Sequence, residues 1–124
     1  MLKVITFWLI TLIYMGLIYF LSSLSGDRLP GLAHGSDKII HTCVYAVMSF
    51  LFFNSLSRSG VQRHCFLIAI LLTSIYALSD EFHQYHVPGR DASIGDLIAD
   101  FIGAVIGSSI ASAMICRERH KDVK

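Results

Sequence analysis

The sequence predicts an all-α, polytopic membrane protein: a bundle of four transmembrane helices with a polar cluster at the extracytoplasmic end of helices 2–4. Four long apolar stretches run through the 124 residues. Only 15% of the residues are charged and the mean hydropathy is +0.61, which is typical of membrane proteins. Nearly all the acidic residues lie on one side of these stretches. Ionisable residues are costly in a membrane, so their positions are the best guide to function.

The apolar stretches set the helix boundaries. Helices are predicted at about residues 4–21, 37–56, 65–84 and 94–115. The first and last satisfy the need for about 20 residues across a hydrocarbon core of about 30 Å. The strictly apolar parts of helices 2 and 3 are shorter, and they reach a spanning length because their polar ends can lie in the headgroup zone. Residues 1–116 therefore form one transmembrane domain, followed by a charged cytoplasmic tail at 117–124.

An alternative interpretation of the first apolar stretch is a cleaved signal peptide. This stretch is longer than the usual apolar core of about 7–15 residues, so a retained helix is preferred. Pro30-Gly31 marks the first loop as a break in the helices. The sequence Val87-Pro88-Gly89-Arg90 predicts the turn that ends helix 3.

The basic residues predict the orientation. With four spans, the N-terminus, the 57–64 loop and the C-terminus share one side of the membrane. That side carries seven of the ten Lys and Arg residues and two of the nine acidic residues, a formal charge of +5, and the other side carries −4. The positive-inside rule then predicts that both termini are cytoplasmic. This distribution gives no support to nucleic acid binding.

Helix 2 carries a polar stripe. Asp37, His41 and Tyr45 follow one another at a spacing of four residues, so they share one helix face. Placing an imidazole and a carboxylate near lipid is costly, which favours a functional role. The alternative is structural: Asp37 suits a helix N-terminus, and Tyr45 can be a packing residue.

Helix 3 ends with the acidic pair Asp80-Glu81, followed by Gln84. Negative charge at a helix C-terminus opposes the helix dipole and costs about 0.3–1 kcal/mol per residue. A purely structural solution would not select two acids at this position. We therefore expect at least one of them to be functional.

Helix 4 opens with Asp96 and Asp100 and continues into Gly103 and Gly107. Together with Ser93, Asp96 matches the S-x-x-D capping pattern, which is a structural alternative for this residue. Asp100 lies one turn deeper and needs a partner, for which Arg90, Lys38 and His41 are the candidates. The two glycines form a GxxxG element that lets another helix approach closely and could support a homo-oligomer.

The three polar groups lie at the same end of their helices, so the sequence predicts one site where they meet. Its candidate catalytic residues are His41, Asp80, Glu81 and Asp37. Its candidate ligand-binding residues are Lys38, Tyr45, Gln84, Arg90, Asp96 and Asp100. No cofactor and no metal are predicted, because a set such as His41, Asp80, Glu81 and His83 lacks any H-E-x-x-H spacing.

The ordered set of these segments resembles the VanZ-like family of bacterial membrane proteins. The resemblance extends from Phe20-Leu21-Ser22-Ser23 to Gly107. It implies a protein of the bacterial plasma membrane, in a family built of four or more membrane helices. The family's name comes from a member that gives low-level resistance to the glycopeptide teicoplanin. The family pattern often has Asn where this chain has Asp100.

Three functions remain open at this stage. The favoured one is a site in the outer leaflet that binds or acts on an envelope lipid or a wall-precursor headgroup, with a possible effect on glycopeptide sensitivity. The second is a membrane enzyme in which His41 is the general base, oriented by Asp37 or Asp80. The third is a small transporter or proton relay. The expected partners are membrane lipids, with a lipid-linked wall precursor or a glycopeptide as further candidates.

Overall fold

The computed structural model describes residues 1–26, 36–90 and 92–122, which fold into four α-helices. These are α1 (Leu2–Ser22), α2 (Ser36–Arg58), α3 (Cys65–Gln84) and α4 (Ile94–Asp122). The described residues contain no strand, and all four helices are long and apolar enough to cross a membrane. The predicted fold class, an all-α bundle of four membrane helices, is confirmed. The predicted break at Pro30-Gly31 lies outside the described residues.

The helix boundaries match the predicted ones closely for α1, α2 and α3, and differ for α4. This helix continues to Asp122, past the predicted end at residue 115. Residues 116–122 contain no glycine or proline and include arginine, glutamate and lysine, which are good helix formers. Most of the predicted charged tail is therefore a continuation of α4.

Two left-handed glycines lie in the turns that follow the central helices. Gly60 has φ +91°, and the amides of Gly60 and Val61 donate to the carbonyls of Ser57 and Leu56, which is the pattern of a Schellman cap after α2. Gly89 has φ +74° and lies in the turn predicted after α3. There the carbonyl of Pro88 accepts a hydrogen bond from Gly26 N, at 3.2 Å. This contact ties the turn before Arg90 to the chain leaving α1.

The closest helix packing is between α2 and α4, along the predicted small-residue seam. A Cβ atom on Gly103 would overlap the backbone of Thr42, and one on Gly107 would overlap the backbone of Ala46. The Ser49 hydroxyl donates to the Ala104 carbonyl across the same seam, at 2.7 Å. Because α2 of the same chain covers this face, an oligomer would need another surface, and the oligomeric state stays a prediction.

Helix α1 is the least buried of the four. Large apolar side chains along it are exposed, as expected for a helix that faces lipid. It is attached by a few polar contacts, such as the Tyr14 hydroxyl donating to the Val44 carbonyl (3.1 Å) and Tyr76 donating to the Met15 carbonyl (2.6 Å). These contacts place the C-terminal end of α1 beside the polar starts and ends of the other helices.

Candidate functional site

The antiparallel bundle brings one end of each helix together. We call this region the polar end: it comprises the C-terminal ends of α1 and α3, the N-terminal ends of α2 and α4, and the turn carrying Arg90. All ten candidate site residues lie in this region. Their contacts divide into three groups and a cavity.

In the first group, His41 lies between two buried carboxylates. Its Nδ1 is 2.9 Å from Asp100 Oδ1 and 3.9 Å from Glu81 Oε1. With an ionised Asp100, the Nδ1–H donates to this carboxylate. His41 is one of the three candidate partners that the sequence offered for Asp100, the others being Lys38 and Arg90. The orienting partner of His41 was, however, expected to be Asp37 or Asp80, and the structure assigns this contact to Asp100.

The second group is centred on Asp80. Its Oδ2 accepts hydrogen bonds from the Tyr45 hydroxyl (2.8 Å) and from Gln84 Nε2 (3.0 Å). All three side chains are buried. Asp80 is therefore held by neutral donors from α2 and from its own helix, and not by His41.

The third group connects the starts of α2 and α4. Lys38 Nζ lies 3.2 Å from Asp96 Oδ1 and 3.6 Å from Asp37 Oδ2. Asp96 is buried, while the side chains of Lys38 and Asp37 are about half exposed. Ser93 directly precedes α4 and its carbonyl accepts from the Asp96 amide, at 3.0 Å, while the Asp96 carboxylate pairs with Lys38. The Ser93 amide donates to Glu81 Oε2, at 3.2 Å.

A cavity of about 300 Å³ opens beside these groups. It is lined by Ile18, Leu21 and Ser22 of α1, Asp37, Ile40, His41, Val44 and Tyr45 of α2, Asp80 and Gln84 of α3, and Arg90. Six candidate site residues thus contact the cavity. The other four, Lys38, Glu81, Asp96 and Asp100, lie outside its lining.

The lining of the cavity combines apolar and polar residues. The α1 wall contributes Ile18 and Leu21, α2 adds Ile40 and Val44, and His41, Asp80, Gln84 and Arg90 supply polar groups. Sequence reasoning missed the α1 wall, because Ile18 and Leu21 look like ordinary lipid-facing residues in a single helix. The small residues at 22–23, where the apolar run of α1 ends, were the available signal for this wall.

Several buried polar atoms at the polar end have no hydrogen-bond partner within residues 1–26, 36–90 and 92–122. They are Ser22 Oγ, Asp80 Oδ1, Glu81 Oε1 and Asp100 Oδ2. A buried polar atom left unpaired typically costs about 1–3 kcal/mol, and more if it is charged. These atoms are therefore available to a ligand, a proton or an ion.

The arrangement supports two kinds of chemistry. Arg90 is a partly exposed cation at the cavity and takes no part in the ion pairs between described residues, so it could bind an anionic group. His41 is an imidazole held by a carboxylate at the cavity wall, so it could accept or donate a proton.

The comparison with known proteins agrees with this description. No curated protein and no solved structure matches the chain. A family model described as VanZ/LLP1 matches residues 5–116, a range that includes all ten candidate site residues and nearly the whole span of the four helices. The resemblance inferred from the ordered polar segments is thereby confirmed, and the chain belongs to the VanZ/LLP1 family.

Proposed function

We propose that the cavity at the polar end binds the headgroup region of an anionic envelope lipid, or of a lipid-linked wall precursor, in the outer leaflet of the bacterial plasma membrane. The observation that carries this proposal is the mixed lining of the cavity. An amphiphile offers an apolar chain and a polar head. The lining offers the apolar side chains of Ile18, Leu21 and Val44 together with the polar groups of His41 and Asp80.

Arg90 favours an anionic headgroup. The other nearby cation, Lys38, is engaged with Asp96 and Asp37, whereas Arg90 faces the cavity. A guanidinium can bind phosphate or carboxylate through two parallel hydrogen bonds. Asp80 Oδ1 and Ser22 Oγ, which lack partners among the described residues, could bind hydroxyl or amine groups of the same headgroup.

The charge distribution supports the outer leaflet. The polar end is the acidic side of the sequence, and the opposite side carries the basic excess that normally faces the cytoplasm. If the protein binds a wall precursor, or a lipid next to one, a glycopeptide has altered access to that precursor. Binding alone would then change teicoplanin sensitivity, without any reaction.

Lipid retention tests this proposal. The purified chain in mixed micelles is analysed by native mass spectrometry with phosphatidylglycerol, undecaprenyl phosphate and a zwitterionic lipid. We expect the anionic lipids to be retained preferentially, and Arg90→Gln to weaken their retention about tenfold, the loss of about 1.4 kcal/mol from a charge-assisted contact. Arg63→Gln is the matched control, because Arg63 is exposed at the opposite end. Equal retention by both variants would contradict the proposal.

A second candidate function is catalysis on the bound lipid. The observation that favours it is the 2.9 Å contact between His41 Nδ1 and Asp100 Oδ1 beside the cavity, the arrangement of a general base oriented by a carboxylate. Lipid and wall-precursor profiles of cells with wild-type protein and with His41→Gln separate the two functions. An enzyme gives a product that disappears in the variant, whereas a binding protein gives no new product in either strain.

A further inference from the structure

Three ligand-type side chains from three different helices converge behind the cavity wall. His41 of α2, Glu81 of α3 and Asp100 of α4 each offer one donor atom, and these atoms lie within 4.8 Å of one another. Both acidic residues are buried: Glu81 is 4% exposed and Asp100 is 1% exposed. His41 alone of the three also lines the cavity.

The negative charge of this cluster is not balanced by its neighbours. His41 is the single basic group that contacts Glu81 or Asp100 among the ion pairs of the described residues, and Lys38 is engaged by Asp96 and Asp37. Glu81 Oε1 and Asp100 Oδ2 are buried, and neither has a hydrogen-bond partner in the described part of the chain. One imidazole thus serves two buried carboxylates that still have unused acceptor atoms.

We propose that His41, Glu81 and Asp100 bind a divalent transition-metal cation of the zinc type. Zinc binds imidazole nitrogens and carboxylate oxygens at about 2.0–2.2 Å, and a site with three protein ligands leaves a position for water or substrate. The cation takes the place of the proton shared by His41 Nδ1 and Asp100 Oδ1. Its two positive charges offset the two carboxylates directly.

This cluster differs from the candidate metal-ligand set of the sequence analysis, which was His41, Asp80, Glu81 and His83. Asp80 is committed to Tyr45 and Gln84, and His83 Nε2 lies 3.0 Å from Ser23 Oγ. Asp100 completes the set instead, and it comes from a helix whose rotation relative to α3 no sequence pattern gives. The site shares His41 with the proposed lipid cavity, but binding of the cation needs no lipid.

Cobalt titration tests the proposal. The full chain is purified in detergent, stripped with EDTA and titrated with Co²⁺, whose visible absorption reports coordination, followed by competition with Zn²⁺. We expect one Co²⁺ per chain, displaced by Zn²⁺. His41→Gln, Glu81→Gln and Asp100→Asn should each weaken binding at least about tenfold, since loss of a mere supporting contact around a metal already costs about 10–100-fold.

The matched controls are His83→Gln and Glu118→Gln, which remove the same residue types outside the cluster and should leave Co²⁺ affinity unchanged. Arg90→Gln should also retain Co²⁺, so failure of lipid binding and failure of metal binding are distinguishable. Folding is checked by gel filtration. If a cluster variant does not fold, the wild-type chain decides alone: one equivalent of Zn²⁺ must raise its Tm and release protons.

Two results overturn the proposal. The first is a folded wild-type chain that binds neither Co²⁺ nor Zn²⁺. In that case a proton, and not a metal ion, is the charge partner of the carboxylates. The second is a Co²⁺ affinity that falls equally in the cluster variants and in the controls, or that falls in none of them. Either pattern shows that the metal binds adventitiously.

Discussion

At the residue scale, Asp80 illustrates how the bundle accommodates a carboxylate at depth. Tyr45 and Gln84 donate to one of its oxygens, and all three side chains are buried. These neutral donors satisfy that oxygen without placing a second charge beside it, where an ion pair is costly to desolvate. The stability of the polar end should therefore depend on these donors.

Tyr45→Phe tests this dependence. The substitution leaves Asp80 with Gln84 as its remaining donor at that oxygen, so we expect a loss of about 1–3 kcal/mol in the free energy of unfolding. Thermal unfolding in detergent measures the change. Tyr85→Phe is the control, because Tyr85 is 72% exposed at the same end and should leave Tm unchanged. An equal effect of both substitutions would show that the hydroxyl contact at Asp80 is unimportant.

At the element scale, the α2–α4 seam sets the register of the site. Gly103 and Gly107 let the two backbones approach so closely that His41 on α2 reaches Asp100 on α4. Thr42 donates to the Ala99 carbonyl in the same stretch, at 3.2 Å. A side chain in the seam would push the helices apart and separate the residues of the site.

Gly107→Ala tests the seam. The new Cβ would overlap the Ala46 backbone, so we expect destabilisation of about 1–3 kcal/mol from overpacking. Gly16→Ala in α1 is the matched control, because its Cβ would meet open space and alanine is the better helix former by about 1 kcal/mol. Thermal unfolding should thus move in opposite directions for the two variants, and parallel shifts would contradict the packing described.

The same seam explains what the sequence could and could not predict. Spacing along one helix predicted that Asp37, His41 and Tyr45 share a face, since four residues make about one turn, and all three line the cavity. The pairing across helices depends on how far α4 slides and rotates against α2, which side-chain packing decides. For this reason the sequence left several pairings open: Asp37 or Asp80 as the carboxylate that orients His41, and His41, Lys38 or Arg90 as the partner of Asp100. The structure pairs His41 with Asp100.

At the scale of the whole molecule, the asymmetry of charge predicts how the bundle sits in the membrane. The acidic polar end should face outwards, and the basic turn between α2 and α3 should face the cytoplasm. His86 and Gln62 are both exposed, one in each region, and they give a matched pair of labelling positions.

Cysteine labelling in intact cells measures the orientation. In a background with the native cysteines replaced, we expect His86→Cys to react with a membrane-impermeant maleimide, and Gln62→Cys to react once the cells are permeabilised. The reverse pattern would place the polar end in the cytoplasm and would remove the outer-leaflet site from consideration. Labelling at both positions in intact cells would indicate mixed orientation.

The light attachment of α1 has a consequence for how a ligand would reach the cavity. This helix supplies one wall through Ile18, Leu21 and Ser22, yet most of its surface is turned away from the bundle. An amphiphile could therefore enter the cavity laterally from the bilayer, past α1, and its hydrocarbon tail would stay out of water throughout. Exchange would then depend on the fluidity of the surrounding leaflet more than on the concentration of any dissolved compound.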